Sequence, residues 1–295
     1  MAAAPTTSRV PSGDISIAVR EHSQAGEGRP TVVLVHGYPD DQSAWDTLVA
    51  RLPRDRWHIV TYDVRGAGDS DAPTRRADYR TERLVDDLVA VLDAVLPKGQ
   101  AAHLVGHDWG SVQLWDAVAA ETTDPRLRGR IASFTSISGP SLDHSAWVLR
   151  HARGRRAAVL RQQAHSAYVA WFCTPVLPRL VWRGGHGPIG RMVARRERLP
   201  EGHWGAELAR NASNGLELYR ANVFQRLRSP GRLHTDVPVL VVHPRHDPFL
   251  TEVLTEDLDA SCTDVRVEHV DAGHWVIVTH ADRVAALVEE HVEGH

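Results

Sequence analysis

Residues 101–111 read AAHLVGHDWGS, in which an apolar stretch runs directly into the pattern small-x-Asp-x-small. This is the pattern of the sharp strand-to-helix turn that carries the nucleophilic serine of lipases and esterases. The segment 102–107 therefore predicts a strand, and 110–121 predicts the helix that follows it. At the turn between them this chain has a carboxylate, Asp108, in place of the serine.

On both sides of this turn, short apolar runs rich in β-branched residues alternate with longer amphipathic stretches. Such alternation is typical of a parallel sheet covered by helices on both faces. A further run at 15–21 alternates in polarity and predicts an antiparallel edge strand. The predicted strands are 31–36, 58–63, 102–107, 134–138, 237–244 and 265–270, and the predicted helices are 81–97, 110–121 and 280–292.

Between about residues 140 and 232 the strand rhythm stops, and helical segments rich in Arg and Trp take its place. We predict an α/β protein whose core comprises 1–139 and 233–295, with 1–10 as a mobile tail. The segment 140–232 is predicted to form an inserted helical cap. Such a cap would cover the carboxyl ends of the strands, where ligands bind in this architecture.

The composition narrows the classes of partner. Lys and Arg number 34 against 37 Asp and Glu, a net charge of −3, so no overall basic field favours nucleic acid. Two cysteines, Cys173 and Cys262, fit no zinc or disulfide spacing. We therefore predict reduced thiols, no metal and a cytoplasmic protein. The start of the chain lacks the features of an export signal, and no apolar run is long enough to predict a membrane span.

The chemistry of a carboxylate at this turn differs from that of a serine. An aspartate with an ordinary pKa near about 3.9 is ionised at neutral pH and needs no base to attack. Attack on an acyl carbon gives a reactive anhydride, whereas attack on a saturated carbon with a leaving group gives an ester that water can hydrolyse. Asp108 therefore indicates epoxides or alkyl halides as substrates.

Three more motifs follow predicted strands in the order that a hydrolase requires. HGYPD (36–40) predicts an oxyanion hole made of the backbone N–H groups of Tyr38 and Trp109. PRHDPF (244–249) supplies Asp247, and AGHW (272–275) supplies His274. We expect His274 to deprotonate the water that cleaves the ester, and Asp247 to orient the imidazole ring.

Five motifs resemble, in the same order, those of epoxide hydrolases of the α/β-hydrolase superfamily, and the resemblance covers most of residues 15–292. These motifs are HGYPD, YDVRGAGDSD (62–71), GHDWGS, HDPF and GHW. The resemblance implies the α/β-hydrolase fold and no cofactor. It also implies two cap tyrosines that hydrogen-bond the epoxide oxygen. Their counterparts here are Tyr168 in AYVAWF and Tyr219 in GLELYR.

We accordingly predict an epoxide hydrolase that forms a vicinal diol through an aspartyl ester, with His36 and Trp171 contacting the substrate. Its partners would be a small-molecule epoxide and water, with a homodimer as an open alternative. Haloalkane dehalogenase is the competing hypothesis, although Tyr38 stands where those enzymes often carry Asn. A non-catalytic receptor and an esterase are less favoured. The basic run 150–161 is interpreted as a solvated helix face, with an acidic partner, a membrane surface or an anionic substrate as alternatives.

Overall fold

An eight-stranded sheet forms the centre of the molecule, with the order β1-β2-β4-β3-β5-β6-β7-β8. A computed structural model describes residues 4–151 and 154–295 of the chain. Strands β3 to β8 pair in parallel, whereas β2 is antiparallel to both β1 and β4. The strands are β1 Thr6–Ser12, β2 Ile15–Glu21, β3 Thr31–Val35, β4 His58–Tyr62, β5 Ala102–His107, β6 Ile131–Ile137, β7 Val239–Pro244 and β8 Val265–Val270.

Helices cover both faces of the sheet, because the central strands are apolar on both sides; every residue of β3, β4 and β5 is buried. This arrangement confirms the predicted fold class. The helices are α1 Asp46–Val49, α2 Thr81–Val95, α3 Trp109–Ala120, α4 Leu142–His151, α5 Arg156–His165, α6 Ala167–Phe172, α7 Leu177–Glu197, α8 Leu208–Arg228, α9 Val276–Thr279 and α10 Ala281–Glu293.

In its described residues, the segment predicted to be a cap contains five helices, α4 to α8, between β6 and β7. Its contact with the core is extensive. Asn222 of α8, for example, accepts a hydrogen bond from the Thr81 backbone N–H (3.0 Å) and donates one to the Tyr79 carbonyl (2.8 Å). No helix in the described parts of the chain combines the length and apolar character needed to cross a bilayer.

Two expectations for the amino-terminal region were wrong. Residues 6–10 are not a mobile tail but part of β1, which pairs with β2 from Thr6 opposite Glu21 to Ser12 opposite Ile15. The guanidinium of Arg9 helps to fix this strand through a salt bridge with Asp71 (2.7 Å). The 15–21 strand is consequently interior to the sheet, and β1 forms its edge. Residues 1–3 of the predicted tail lie outside the described residues.

Candidate active site

The turn between β5 and α3 holds Asp108 in a backbone conformation that few residues adopt, with φ +51° and ψ −123°. Close packing on both sides explains the small residues in the motif. A Cβ at Gly106 would lie 2.5 Å from the Ser111 Cα, and a Cβ at Gly110 would lie 1.9 Å from the Val35 carbonyl oxygen. Only glycine fits at these two positions, so the motif is required by the turn that presents the carboxylate.

The two oxygens of the Asp108 carboxylate have different partners. Oδ1 accepts a hydrogen bond from the Tyr38 backbone N–H at 2.7 Å. Oδ2 lies 3.5 Å from Nε2 of His274. Trp109 begins α3, so its N–H belongs to the first turn of the helix, whose amides have no acceptor within the helix. One oxygen is therefore held by the Tyr38 amide while the other faces the imidazole.

The imidazole of His274 is oriented by Asp247, whose Oδ2 lies 2.7 Å from Nδ1 of the ring. The other oxygen of Asp247 accepts hydrogen bonds from the backbone N–H groups of Phe249 (2.8 Å) and Leu250 (3.1 Å). Burial alone would lower the pKa of His274. The carboxylates of Asp247 and Asp108 outweigh burial and raise this pKa to about 10.

Two tyrosines of the cap segment stand above Asp108, Tyr168 on α6 and Tyr219 on α8. Their ring centroids are 6.1 Å apart, and the Trp109 ring packs edge-on against Tyr219 at 4.9 Å. Burial, reinforced by the nearby charge of Asp108, raises the pKa of both hydroxyls above the usual value for tyrosine. Both hydroxyls are therefore protonated at neutral pH and can donate hydrogen bonds.

Asp108 lies where two cavities meet, one of about 350 Å³ and one of about 180 Å³. Asp108, Tyr168, Tyr219 and Phe249 line both cavities. The smaller cavity is walled mainly by aromatic rings, among them Trp171, which was predicted to contact the substrate. A molecule that occupies this junction therefore contacts Asp108 and both cap tyrosines.

His36 does not lie where the sequence analysis expected it. Its ring is buried beneath the HGYPD turn, with Nδ1 2.9 Å from the Gly37 carbonyl and Nε2 accepting the Val64 N–H at 2.9 Å. Neither cavity is lined by His36. Because both ring nitrogens hold backbone groups, His36 supports the loop, and the structure does not bring it to the cavities beside Asp108.

Two carboxylates near the site were missed. Glu197, the last residue of α7, accepts a hydrogen bond from the His274 backbone N–H at 2.8 Å. Asp40 accepts the indole N–H groups of Trp204 (2.6 Å) and Trp275 (2.9 Å). Asp40 belongs to the HGYPD motif and could have been considered there. Glu197 stands in a run of arginines with no signal of its own.

The matches to known proteins agree with this architecture. The family model described as alpha/beta hydrolase fold matches residues 30–281. The chain therefore belongs to the α/β-hydrolase fold family.

Among its relatives, the chain is 29% identical to "Epoxide hydrolase A" of Mycobacterium tuberculosis, over 99% of this chain and 98% of the relative. It is 30% identical to "Probable oxidoreductase EphD" of the same species, over 98% of this chain but only 50% of that protein. The chain thus spans about half the length of the EphD proteins it matches. A solved Bacillus megaterium epoxide hydrolase, 18% identical, has the same fold, with a TM-score of 0.78 over 97% of this chain and 100% of that one.

Proposed function

We propose that the protein hydrolyses epoxides to vicinal diols through an aspartyl ester. Oδ2 of Asp108 attacks the less hindered or electronically activated ring carbon, and the carbon–oxygen bond breaks. The ring oxygen takes a proton from one of the two tyrosine hydroxyls, Tyr168 or Tyr219. One observation supports this step above all: Asp108, Tyr168 and Tyr219 all line both cavities where they meet.

Ester hydrolysis is the task proposed for His274. The charge of Asp108 is one of the causes that raise the pKa of this imidazole. Esterification removes that charge, so the pKa of His274 falls when its base form is required. The ring then takes a proton from a water molecule that attacks the ester carbonyl carbon. Asp247 stabilises the imidazolium that forms.

The tetrahedral intermediate places negative charge on Oδ1, the oxygen that already accepts the Tyr38 N–H. The amides of Tyr38 and Trp109 are proposed to stabilise this oxyanion. Collapse of the intermediate breaks the ester bond and releases the diol. One proton of the attacking water returns to the tyrosine that donated its proton, and the other protonates the leaving alkoxide. The enzyme is therefore regenerated unchanged.

The cap tyrosines favour epoxide opening over halide displacement. An opening epoxide generates an alkoxide, which needs a proton, whereas a halide ion needs only hydrogen-bond donors. The Trp204 indole N–H donates to Asp40 at 2.6 Å, so this group is engaged with a partner other than a halide ion.

Labelled water tests the mechanism directly. During repeated turnover of an epoxide in H₂¹⁸O, the label should enter the Asp108 carboxyl group, because water attacks the ester carbonyl carbon. Mass spectrometry of the peptide that contains residues 102–120 reads the incorporation. Absence of label after many turnovers would exclude the ester. Bromide release from a bromoalkane in a parallel assay would instead support dehalogenation.

A further inference from the structure

Exposed apolar side chains are concentrated in one part of the molecule. Nine large apolar side chains are exposed in the described residues, and all nine lie within the segment 140–232. Five of them fall between residues 171 and 181: Trp171, Val176, Leu177, Leu180 and Val181. Leu177 and Leu180 are 61% and 56% exposed. We call these five residues the apolar cap patch; clustered exposure of this kind marks interaction sites.

The same segment carries an excess of positive charge, whereas the rest of the chain is net negative. Residues 140–232 contain 16 arginines, no lysine and five acidic residues, a net charge of +11. Since the whole chain has a net charge of −3, the remainder carries −14. The low overall charge therefore conceals a strongly basic cap on an acidic core.

Charge and apolar surface meet on helix α7. Four residues of α7 lie on one face of the helix, because their spacing of i, i+4, i+14 and i+18 follows the helical repeat. They are Leu177, Val181, Arg191 and Arg195. All four are exposed. Neither arginine pairs with a carboxylate among the described residues. This face thus has apolar side chains at its first turns and unpaired guanidinium groups further along.

We propose that the apolar cap patch and the arginines of α7 dock on an anionic lipid bilayer. At a bilayer surface, exposed apolar side chains insert below the headgroups while neighbouring cations lie among the lipid phosphates. A bilayer that contains acidic lipids offers both complements at once.

A second copy of the chain fits this surface less well. The core has the opposite charge, but within the described residues it exposes none of the large apolar side chains that would cover the patch. Two caps face to face would bring +11 against +11. A membrane surface is the occupant that complements both features.

The position of the patch links docking to the proposed chemistry. Trp171 belongs to the patch and also lines the smaller cavity beside Asp108. If the protein hydrolyses epoxides, its substrates would include apolar epoxides dissolved in lipid, which reach the site from the docked face. This second step rests on the proposed function, whereas the docking itself does not.

Vesicle sedimentation of the full chain tests docking without any turnover. The protein should pellet with vesicles of phosphatidylcholine and phosphatidylglycerol at low salt and remain in solution with pure phosphatidylcholine. Raising the salt to about 1 M, where the Debye length is about 3 Å, should weaken binding strongly. The double variant Arg191→Glu/Arg195→Glu should lower the partition coefficient at least about 25-fold, at about fivefold for each arginine.

The apolar contribution requires a separate variant. Leu177→Ser/Leu180→Ser should lower partitioning about tenfold or more. Neither leucine lines either cavity, so turnover of a small water-soluble epoxide should be unchanged. Arg80→Glu/Arg128→Glu is the matched control, because it reverses two exposed arginines of the core and should leave partitioning nearly unchanged.

Three results would overturn the docking proposal. These are equal partitioning to both vesicle types, full binding by the serine variant, and binding to an immobilised acidic peptide without sedimentation with anionic vesicles. Normal docking by a protein that turns over no epoxide would count only against the proposed function.

Discussion

The Glu197 carboxylate accepts a hydrogen bond from the backbone N–H of His274 at 2.8 Å, which ties the end of helix α7 to the loop that carries the imidazole. The contact is tightly packed, because a Cβ at Gly273 would lie 2.4 Å from Oε2 of Glu197 and would displace this carboxylate. Glu197 is buried. The cap segment therefore positions His274, the proposed base, as well as covering the cavities.

The first prediction separates position from charge at Glu197. Glu197→Ala removes the acceptor and should slow ester hydrolysis about tenfold, because the loop of His274 loses its anchor. Glu197→Gln retains an acceptor oxygen and should stay within about twofold of the parent enzyme. Single-turnover kinetics that resolve formation and decay of the ester are the measurement.

Glu201→Ala provides the control for this pair, since Glu201 is exposed and lies on the same connection between α7 and α8. Its rates should match those of the parent. An alanine variant of Glu197 that slows ester formation and decay equally would show that the contact supports the fold in general rather than the base.

The second prediction concerns His274→Gln. Without the imidazole no group removes the proton of the attacking water, while Asp108 remains able to attack. The ester should accumulate, and intact-protein mass spectrometry should show an increase equal to the mass of the substrate. The double variant Asp108→Asn/His274→Gln, which lacks the attacking carboxylate, should show none over short incubation. An unmodified single variant after incubation with a substrate that the parent turns over would contradict the scheme.

The third prediction concerns the ring oxygen. Tyr168→Phe and Tyr219→Phe should each slow ester formation by about 10²-fold, and the double variant by more, because the departing alkoxide loses its proton donors. Decay of the ester should change little. Tyr62→Phe serves as the control, since its buried hydroxyl lines neither cavity. A double variant that forms the ester at the parent rate would remove both tyrosines from the mechanism.

The free energy of unfolding should depend on pH through the titration of His274. Its pKa lies near 6.5 in an unfolded chain and near 10 in the folded protein, raised against burial by Asp247 and Asp108. The folded state therefore binds the extra proton between these values. The stabilisation is complete below about pH 6.5 and is lost as the pH rises towards 10, by about 1.4 kcal/mol per pH unit.

Urea unfolding at several pH values between 7 and 9 measures this effect as a difference between two proteins. The free energy of unfolding of the parent should fall more steeply with pH than that of His274→Gln, by about 1.4 kcal/mol per pH unit. Other titrating groups cancel in the difference. Parallel curves would mean that the imidazole carries no extra proton in the folded state.

Local sequence patterns predict the fold and much of the candidate active site because turns and strand ends have strict structural requirements. The turn at Asp108 demands glycines within two residues of it, and a parallel sheet brings the ends of its central strands to one edge. Motifs that follow strands, such as those of Asp247 and His274, are consequently expected close together. The structure places the His274 imidazole 2.7 Å from the Asp247 carboxylate and 3.5 Å from that of Asp108.

Contacts made across the cap were harder to predict. Glu197 reaches His274 only because α7 ends above that loop, and no periodicity in the sequence encodes this meeting. The position of His36 away from the two cavities has a similar origin, since adjacency in a motif does not reveal on which side of the turn a ring lies. The amino-terminal strand was missed because its pairing with β2, from Thr6 to Ser12, depends on a neighbouring strand rather than on its own composition.

The last prediction concerns the space beside the carboxylate. A Cβ at Gly37 would lie 2.4 Å from Oδ1 of Asp108 and 2.6 Å from the His107 carbonyl oxygen. Gly37→Ala should therefore push the carboxylate away from the Tyr38 amide and slow turnover by about 10²-fold or more.

Crowding against the His107 backbone should also lower the free energy of unfolding, by about 1–3 kcal/mol. Gly184→Ala, at a helical position with open space around it, is the matched control and should preserve both turnover and stability. Because the clash involves backbone as well as the carboxylate, relaxation of the side chain alone cannot relieve it. A Gly37→Ala enzyme with parent kinetics would show that the amide of Tyr38 does not hold the oxyanion.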